Sequence, residues 1–464
     1  MGFLAKHIGH RHILSPLRIS HTRRQSLVDL LTYANANVPF YEGRYTDFLK
    51  ECDRLDDTEF YRAFAETPMT TKQDLKHHND AFKSRTLASK LDITDHGSNI
   101  NPVQMLWSLF IRKNFKVSIS TGGSSGMPTY RWLDYDDANV MAQSFLESFT
   151  RNGWSRGEPF VVYYPLKSYF TDTYAAFNSW LHRLFGFSVV PFENVDTQSV
   201  VTLLETLKRQ KATLLVIFPC VLQRVAEIMY RENIPPCETL KYINVSGEFF
   251  FDCSKAFIQT MFPNARIEMT YGSVELGELA HQYGQSSFDY EIFNEFSYVE
   301  ESQNDSLIIT SLHQKAFPMI RYEMEDKAQV VNNANGTQYL MCLEGKNTDF
   351  LSINDGEKYY ASFFNCCVNA MNEECGGNII HFMMRYEDSK ARINLVLKER
   401  NSHHEEYISA QTKQIMSETF PHFTDVTVSF PAHFDHDYTR KFKIISQGDG
   451  LAEVVGGYYK RKAG

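Results

Sequence analysis

The sequence lacks the marks of several common classes of protein. None of its eight cysteines belongs to a Cys-x-x-Cys pair, so the spacing of a zinc knuckle is missing and we expect reduced thiols in a cytoplasmic protein. No apolar run is long enough to cross a bilayer, and there is no internal repeat or low-complexity tract. Polar residues interrupt the basic segment 1–25, which argues against the core of a signal peptide.

An excess of positive charge is also missing. The formal net charge is −9 at pH 7, so we expect neither nucleic acid nor a membrane as a partner. The chain does have length and apolar bulk, with 464 residues of which 43% are hydrophobic and 14% aromatic. The length suggests about two or three domains. The aromatic content suits a pocket for an apolar ligand.

Short β-rich segments alternate with helical ones through the middle of the chain. This alternation predicts helix-covered, mainly parallel sheets, with function located beyond the carboxyl ends of the strands. A helical pattern at 197–210 separates two of the segments, and a further β-rich subdomain is expected from Ser297 to Leu351. The predicted strands lie at 160–165, 187–192, 212–218, 240–248 and 265–273.

A smaller α+β unit is predicted near the end of the chain. Residues 344–356 are polar and rich in turn formers, which is typical of a domain boundary. We therefore expect an α/β fold with a large domain, residues 1–348, and a small mobile domain, residues 349–464. The predicted elements of the small domain are strands at 378–386, 391–397 and 425–430 and a helix at 404–419.

The loop Ser118–Thr129, SISTGGSSGMPT, concentrates glycine and hydroxyl side chains after an apolar-alternating run. Glycines let the main chain approach phosphate oxygens, while main-chain N–H groups and hydroxyls donate to them. The loop is not a Walker sequence, because no Gly-Lys-Ser/Thr follows. Taken alone, it is equally consistent with a flexible linker.

Further segments follow this loop in a fixed order. They are Ser246-Gly247-Glu248, Tyr271-Gly272-Ser273-Val274-Glu275, Phe317-Pro318-Met319-Ile320-Arg321-Tyr322 with Asp326, Gly345-Lys346-Asn347-Thr348-Asp349, and TRKFKII at 439–445. Together they resemble the adenylate-forming (acyl-CoA synthetase/ligase) superfamily, in particular its phenylacetate–CoA ligase and capsular polysaccharide biosynthesis branch. The resemblance spans nearly the whole chain.

The resemblance implies a role for each motif. Tyr271 would stack on adenine, Glu275 would hold Mg²⁺ and take part in catalysis, and Asp326 would bind the ribose hydroxyls. Lys441 would be the catalytic lysine, with Lys443 as the alternate, and Asp349 would be the hinge of the small domain. The remaining residues implied to bind the nucleotide are Ser120, Thr121, Gly122, Gly123, Ser124, Ser125, Gly126, Ser246, Gly247, Glu248, Gly272, Ser273 and Lys346.

Four positions depart from the family pattern. Thr129 stands where many members have lysine, and Arg131 is the nearest source of positive charge. Val274 replaces the usual hydroxyl residue, Lys346 replaces the hinge-motif arginine and loses its bidentate geometry, and Arg440 replaces a glycine. These departures motivate one alternative from another class of protein, a non-catalytic nucleotide-binding homologue.

The function implied by the resemblance is ATP-dependent activation of a small carboxylic acid to an acyl-adenylate, with release of pyrophosphate and transfer to coenzyme A. The expected cofactors are ATP and Mg²⁺, and a homodimer is a further expectation. The alternative acceptor is an amine, a hydroxyl or the thiol of a carrier protein. The acyl pocket is predicted beside the strand end Tyr271–Gly272 and the segment 163–172. The aromatic residues of that segment favour an aromatic or other compact acid, whose identity stays open. The candidate lining residues of the pocket are Tyr163, Tyr164, Tyr169 and Phe170.

Overall fold

The computed structural model describes most of the chain. The described ranges are residues 22–92, 112–120, 130–165, 187–284, 288–344, 350–352, 358–438 and 442–447. Its helices are α1 (Arg23–Asn37), α2 (Thr46–Glu51), α3 (Asp57–Ala65), α4 (Lys72–His77), α5 (Tyr135–Arg151), α6 (Thr197–Gln210), α7 (Pro219–Arg231), α8 (Asp252–Met261), α9 (Ala361–Glu374) and α10 (Ser402–Thr419).

The strands are more numerous than the helices and are mostly short. They are β1 (Leu91–Asp92), β2 (Phe115–Ser120), β3 (Tyr130–Asp134), β4 (Phe160–Pro165), β5 (Phe187–Phe192), β6 (Leu214–Ile217), β7 (Tyr242–Ser246), β8 (Arg266–Ser273), β9 (Gly277–Gln282), β10 (Tyr290–Ile292), β11 (Ser297–Glu301), β12 (Ser306–Ser311), β13 (Tyr322–Asn332), β14 (Gln338–Glu344), β15 (Phe350–Ser352), β16 (Lys358–Tyr360), β17 (Ile379–Glu387), β18 (Lys390–Leu397), β19 (Asp425–Ser429) and β20 (Ile445–Gln447).

One eleven-stranded sheet forms the centre of the molecule, in the order β11-β12-β13-β14-β10-β9-β8-β7-β6-β4-β5. Strands β5, β4, β6, β7 and β8 run parallel, and every pairing from β8–β9 to β11–β12 is antiparallel. The predicted parallel strands are therefore confirmed. The β-rich section that follows them continues the same sheet, because β9 turns back beside β8.

Local sequence explains the parallel half of this sheet. All four residues of β6 are buried, as expected for a central parallel strand that is covered by helices on both faces. Helix α6 begins with a capping box between Asp196 and Ser199. Its buried residues Val200, Leu203 and Leu207 recur at helical spacing, so one face packs against the core.

The C-terminal domain consists of a four-stranded sheet, β19-β18-β17-β20, with helices α9 and α10. Its hydrophobic core also contains Phe251 and Cys253 from the start of helix α8, so α8 contributes to the contact between the two parts of the molecule. Strands β1, β2 and β3 form a separate three-stranded sheet. In the sequence, β2 precedes the predicted phosphate loop and β3 follows it. In the described ranges, no helix combines the length and the apolar character that crossing a membrane requires.

Candidate active site

The carboxyl ends of two neighbouring parallel strands bring two predicted motifs together. Ser246 at the end of β7 is the register partner of Thr270 in β8. The segments Ser246–Glu248 and Tyr271–Ser273 therefore leave the sheet side by side. Gly247 has a φ of +88°, a conformation that favours glycine. This edge is where parallel sheets generally place their ligands.

Tyr271 and Asp326 meet directly, although 55 residues separate them in sequence. The Tyr271 hydroxyl donates to Asp326 Oδ2 at 2.8 Å, and Asp326 is only 7% exposed. Burial first, and then the negative charge of Asp326, raise the pKa of Tyr271 well above its usual range. The phenol therefore stays a hydrogen-bond donor and holds the carboxylate in one orientation.

Two features beside this pair restrict what can occupy the end of β8. A Cβ atom on Gly272 would lie 2.6 Å from Glu278 Oε2 and 2.7 Å from the Gly277 carbonyl oxygen, so only glycine fits. The neighbouring Ser273 Oγ is buried and has no hydrogen-bond partner in the described part of the chain. Because an unpaired buried hydroxyl costs free energy, this atom suits a bound ligand that supplies its partner.

Glu275 lies in the turn between β8 and β9 and is half-buried. Tyr322 at the start of β13 has its pKa raised by burial first and then by the charge of Glu275, so this carboxylate faces the Tyr271–Asp326 region. Within the described ranges, no three His, Cys, Asp or Glu side chains form a metal cluster. One carboxylate still fits Mg²⁺, because this ion typically binds one or two carboxylates together with substrate phosphates.

Arg131 on β3 binds the turn between β8 and β9. Its guanidinium is buried and donates to the main-chain carbonyl oxygens of Val274 and Glu275 and to Gln314 Oε1. Gln314 Nε2 in turn donates to the Leu276 carbonyl oxygen at 3.1 Å. Desolvation lowers the pKa of Arg131 to about 10. Arg131 therefore fixes the turn that carries Glu275, a role that its sequence neighbours did not suggest.

Asp137 holds the main chain at the start of the motif Phe317–Tyr322. Its carboxylate accepts the main-chain N–H groups of Lys315 at 2.8 Å and Ala316 at 3.0 Å. Burial and the neighbouring Asp134 carboxylate raise the pKa of Asp137 to about 7. The segment that begins at Phe317 is thus attached to the start of helix α5. No local sequence signal marks this contact, since 178 residues separate Asp137 from Lys315.

Arg321, in the motif Phe317–Tyr322, is an internal anchor. It is 4% exposed and has a φ of +45°. Its side chain pairs with Glu300 at 3.1 Å and donates to the Thr67 carbonyl oxygen. Arg321 therefore ties the N-terminal helices to the sheet and leads the chain into β13, on which Asp326 lies.

Glu248 directs its carboxylate towards helix α7 and the C-terminal domain. Glu248 Oε2 accepts the main-chain N–H of Cys220 at 3.0 Å, and Oε1 accepts the N–H of Phe442 at 2.8 Å. The Cys220 thiol lies 3.4 Å from Oε1. The side chain of Glu248 thus connects two elements that its sequence motif does not include.

The two described candidates for the acyl pocket lie on β4. Tyr163 is fully buried and its ring packs on Phe192 at 4.6 Å. Burial raises the pKa of Tyr163 to about 12. Tyr164 is half-buried, with its ring 4.7 Å from that of Phe218. Tyr163 is therefore part of the hydrophobic core, and Tyr164 is the more accessible of the two.

Several predicted site residues lie outside the described ranges. Ser120 ends β2, and only its main chain is described. Lys443, the alternate lysine, is described and exposed. The predicted residues outside the described ranges are Thr121, Gly122, Gly123, Ser124, Ser125, Gly126, Tyr169, Phe170, Lys346, Asp349 and Lys441.

Comparisons with known proteins support the fold. No family model matches the chain, and no curated protein matches it in sequence. A solved structure of 2-hydroxyisobutyryl-CoA ligase, in the postadenylation state with R3-HIB-AMP, is similar with a TM-score of 0.67 and 14% identity. A second, with 2-HIB-AMP in the same state, has a TM-score of 0.62 and 14% identity. Both matches cover 93% of this chain and 90% of the other.

A third structure of that ligase, in complex with 2-HIB-AMP and CoA in the thioesterification state, has a TM-score of 0.52 and 16% identity over the same shares of both chains. The chain therefore has the mixed α/β fold of these ligases, with a separate C-terminal domain. The predicted fold class is confirmed.

Proposed function

We propose that this protein is an ATP-dependent, AMP-forming ligase that activates a carboxylic acid as an acyl-adenylate and then transfers the acyl group to coenzyme A. The contact between Tyr271 and Asp326 carries this proposal, because it joins residues of two separate motifs beside the carboxyl end of β8. The adjacent Glu275 adds a carboxylate suited to a hard cation. The shared fold with acyl-CoA ligases supports the same reaction class.

In the first half-reaction, a carboxylate oxygen of the acid bonds to the α-phosphorus of ATP. The bond from that phosphorus to the bridging oxygen breaks, and pyrophosphate leaves with the electron pair. Asp326 would accept the ribose hydroxyls, with Tyr271 holding its carboxylate in place, and Ser273 would supply a hydroxyl to the nucleotide. Lys441 is the proposed cation for the transferring phosphoryl group. Positioning and charge neutralisation then account for the rate.

Glu275 is the residue that would hold Mg²⁺, together with phosphate oxygens of the nucleotide. The ion would neutralise negative charge on the phosphates. Arg131 contributes indirectly, because it holds the carbonyl oxygen of Glu275 and so restrains the turn from which the carboxylate extends.

In the second half-reaction, the thiol of coenzyme A loses its proton to water and its sulfur bonds to the acyl carbon. The bond from that carbon to the phosphate oxygen breaks, and AMP leaves with the electron pair. One support for coenzyme A is that a ligase with this fold was solved with 2-HIB-AMP and CoA. The order of the motifs supports a place in the phenylacetate–CoA ligase branch, with a small carboxylic acid as substrate. The eight cysteines without a Cys-x-x-Cys pair support the cytoplasm as location. The alternative acceptor is an amine, a hydroxyl or a carrier-protein thiol.

Exchange of labelled pyrophosphate into ATP, screened over a panel of carboxylic acids, tests the first half-reaction. We expect exchange that depends on one class of acid. Asp326→Asn should lower kcat/KM for exchange by about tenfold to hundredfold, because it removes a charged acceptor of hydrogen bonds. The matched control is Asp435→Asn, which changes an exposed aspartate of the C-terminal domain and should leave exchange unchanged.

Two outcomes would redirect the proposal. If the protein binds ATP but no acid supports exchange, the non-catalytic nucleotide-binding homologue is the better description. If exchange occurs and hydroxylamine traps the acyl group while coenzyme A yields no thioester, the acceptor is another nucleophile. A thioester formed only with coenzyme A supports the acid–thiol ligase.

A further inference from the structure

The C-terminal domain docks on one face of the central part of the molecule, formed by helices α7 and α8. Asp252 of α8 accepts from the side chains of Asn365 and Asn369 at 2.8 and 2.9 Å. Ser254 Oγ donates to the Ile380 carbonyl oxygen at 2.9 Å. The Tyr230 hydroxyl at the end of α7 donates to Glu399 at 3.0 Å. These contacts position the four-stranded sheet as a whole.

Glu248 makes a contact of a different kind, since it holds the main chain of the C-terminal segment itself. Both oxygens of the carboxylate accept main-chain N–H groups, Oε2 from Cys220 and Oε1 from Phe442. Cys220 lies in the first turn of helix α7, where the helix dipole favours a negative charge. One carboxylate oxygen is therefore stabilised by the start of helix α7. The other binds Phe442, which lies 194 residues further along the chain.

Phe442 is the residue between the two candidate lysines, Lys441 and Lys443. A hydrogen bond to the Phe442 nitrogen restrains the main chain at this residue, which Lys443 directly follows. The Phe442 ring also packs against His381 and Phe434, at centroid distances of 4.9 and 5.7 Å. The hydrogen bond and the ring contacts together hold this segment in one place.

The space beside the Glu248 carboxylate is small. A cavity of about 10 Å³ is lined by Cys220, Gln223, Glu248, His381 and Phe442 among others, which is room for about one water molecule. Glu248 is half-buried, and its carboxylate lies between helix α7 and the C-terminal segment. Because both of its oxygens already accept main-chain N–H groups, a nucleotide base is a poor partner for it.

We propose that Glu248 is a positioning residue that holds the lysine-bearing segment around Phe442 against the central part of the molecule. Its carboxylate serves this contact, and the nucleotide-binding role implied by the family resemblance is left to the main chain of residues 246–248. The effect of this contact on catalysis rests on the proposed function. The contact itself does not, and it can be measured without a substrate.

Amide hydrogen exchange of the full-length protein without ligands is the first test. Glutamine has one side-chain oxygen in place of two, so in Glu248→Gln the N–H groups of Cys220 and Phe442 can no longer both be accepted. The amide of Phe442 should therefore exchange about tenfold faster or more. Amides of β17 and β18 should keep their rates. The matched control is Glu232→Gln, the same chemical change at an exposed position at the end of α7. An unchanged rate at Phe442 in Glu248→Gln overturns the proposal.

Pyrophosphate exchange with the acid found by the screen is the second test. A positioning role predicts that Glu248→Gln lowers kcat by about tenfold or more and leaves KM for ATP within about twofold. A rise in KM for ATP, with the exchange rate of the Phe442 amide unchanged, would assign Glu248 to the nucleotide instead. If the wild-type protein shows no exchange with any acid, the proposed function fails, while the amide measurement still decides whether Glu248 holds Phe442.

A second variant covers the case in which Glu248→Gln does not fold. Glu248→Asp keeps the negative charge at helix α7 but is one methylene shorter, so it cannot satisfy Cys220 and Phe442 together. The Phe442 amide should again exchange faster than in the wild type. Rates equal to those of the wild type in this folded variant would also overturn the proposal.

Discussion

Individual ionisable side chains at the end of β8 lie in surroundings with little water. The Tyr271 hydroxyl donates a hydrogen bond to Asp326, so each of these two side chains has a polar partner. Glu278, on the opposite strand, has no such compensation, because its Oε2 is buried without a hydrogen-bond partner in the described ranges. Burial raises the pKa of Glu278 to about 7. Burial alone therefore makes the pKa of Glu278 in the folded protein differ from its value in the unfolded chain.

This difference predicts a pH dependence for Glu278→Gln. The folded pKa lies above the unfolded value of about 4.3, so between about pH 4 and 7 the folded protein keeps a proton that the unfolded chain releases. The free energy of unfolding of the wild type therefore falls as pH rises through this window. Glu278→Gln should match the wild type near pH 4 and exceed it at pH 8 by about 1–3 kcal/mol.

Urea unfolding of both proteins at several pH values measures this effect. The control is Glu232→Gln, whose exposed carboxylate should give a difference that is small at every pH. A stability difference between Glu278→Gln and the wild type that does not vary with pH would show that Glu278 is ionised in the folded protein.

At the scale of elements, the turn between β8 and β9 depends on a strand from another sheet. Arg131 on β3 donates to carbonyl oxygens of this turn and to Gln314, while Gly272 allows β8 and β9 to approach closely. The planar fork of arginine reaches several acceptors at once, which a lysine cannot do. The shape of the candidate site therefore comes from contacts between elements and not from the motif residues alone.

Arg131→Lys tests this dependence. Loss of the fork leaves buried acceptors unpaired, so we expect the free energy of unfolding to fall by about 2–4 kcal/mol. Amide exchange in residues 274–276 should also become faster. Arg62→Lys, on the exposed face of helix α3, is the matched control and should change neither quantity. Unchanged exchange in the turn would mean that Arg131 does not hold it.

At the scale of the whole molecule, docking of the C-terminal domain combines apolar and polar contacts. Phe251 and Cys253 of the central part enter the core of the four-stranded sheet, and Asp252 between them accepts from Asn365 and Asn369. This arrangement predicts that the two parts unfold together as long as Asp252 is intact.

Asp252→Ala removes the acceptor shared by two side-chain amides, that of Asn365, which is buried, and that of Asn369, which is half-buried. We expect thermal unfolding to separate into two transitions, with the C-terminal domain melting first, because its coupling to the central part weakens. Differential scanning calorimetry resolves the two steps. Asp435→Ala, at an exposed position, should keep the wild-type profile. A single transition in Asp252→Ala would show that the apolar contacts alone couple the two parts.

The sequence predicted helices and strands well but did not predict the long-range contacts of polar side chains. Strands at 160–165 and 187–192 and the helix at 197–210 coincide with β4, β5 and α6, because apolar periodicity and capping residues act over short distances. Arg131 and Asp137 were not assigned their structural roles. Each binds main-chain groups of a segment more than 140 residues away, and a main-chain acceptor or donor leaves no mark in the sequence.

The sequence by itself determined the alternation of strands and helices between residues 160 and 273, the mainly parallel character of that part of the sheet, and the order of the motifs along the chain. The tertiary structure alone decided which residues of these motifs meet. It paired Tyr271 with Asp326, turned Arg131 inwards and gave the Glu248 carboxylate to Cys220 and Phe442. Periodicity records only which face of an element is buried, whereas the partner of a buried polar group depends on the elements that packing brings beside it.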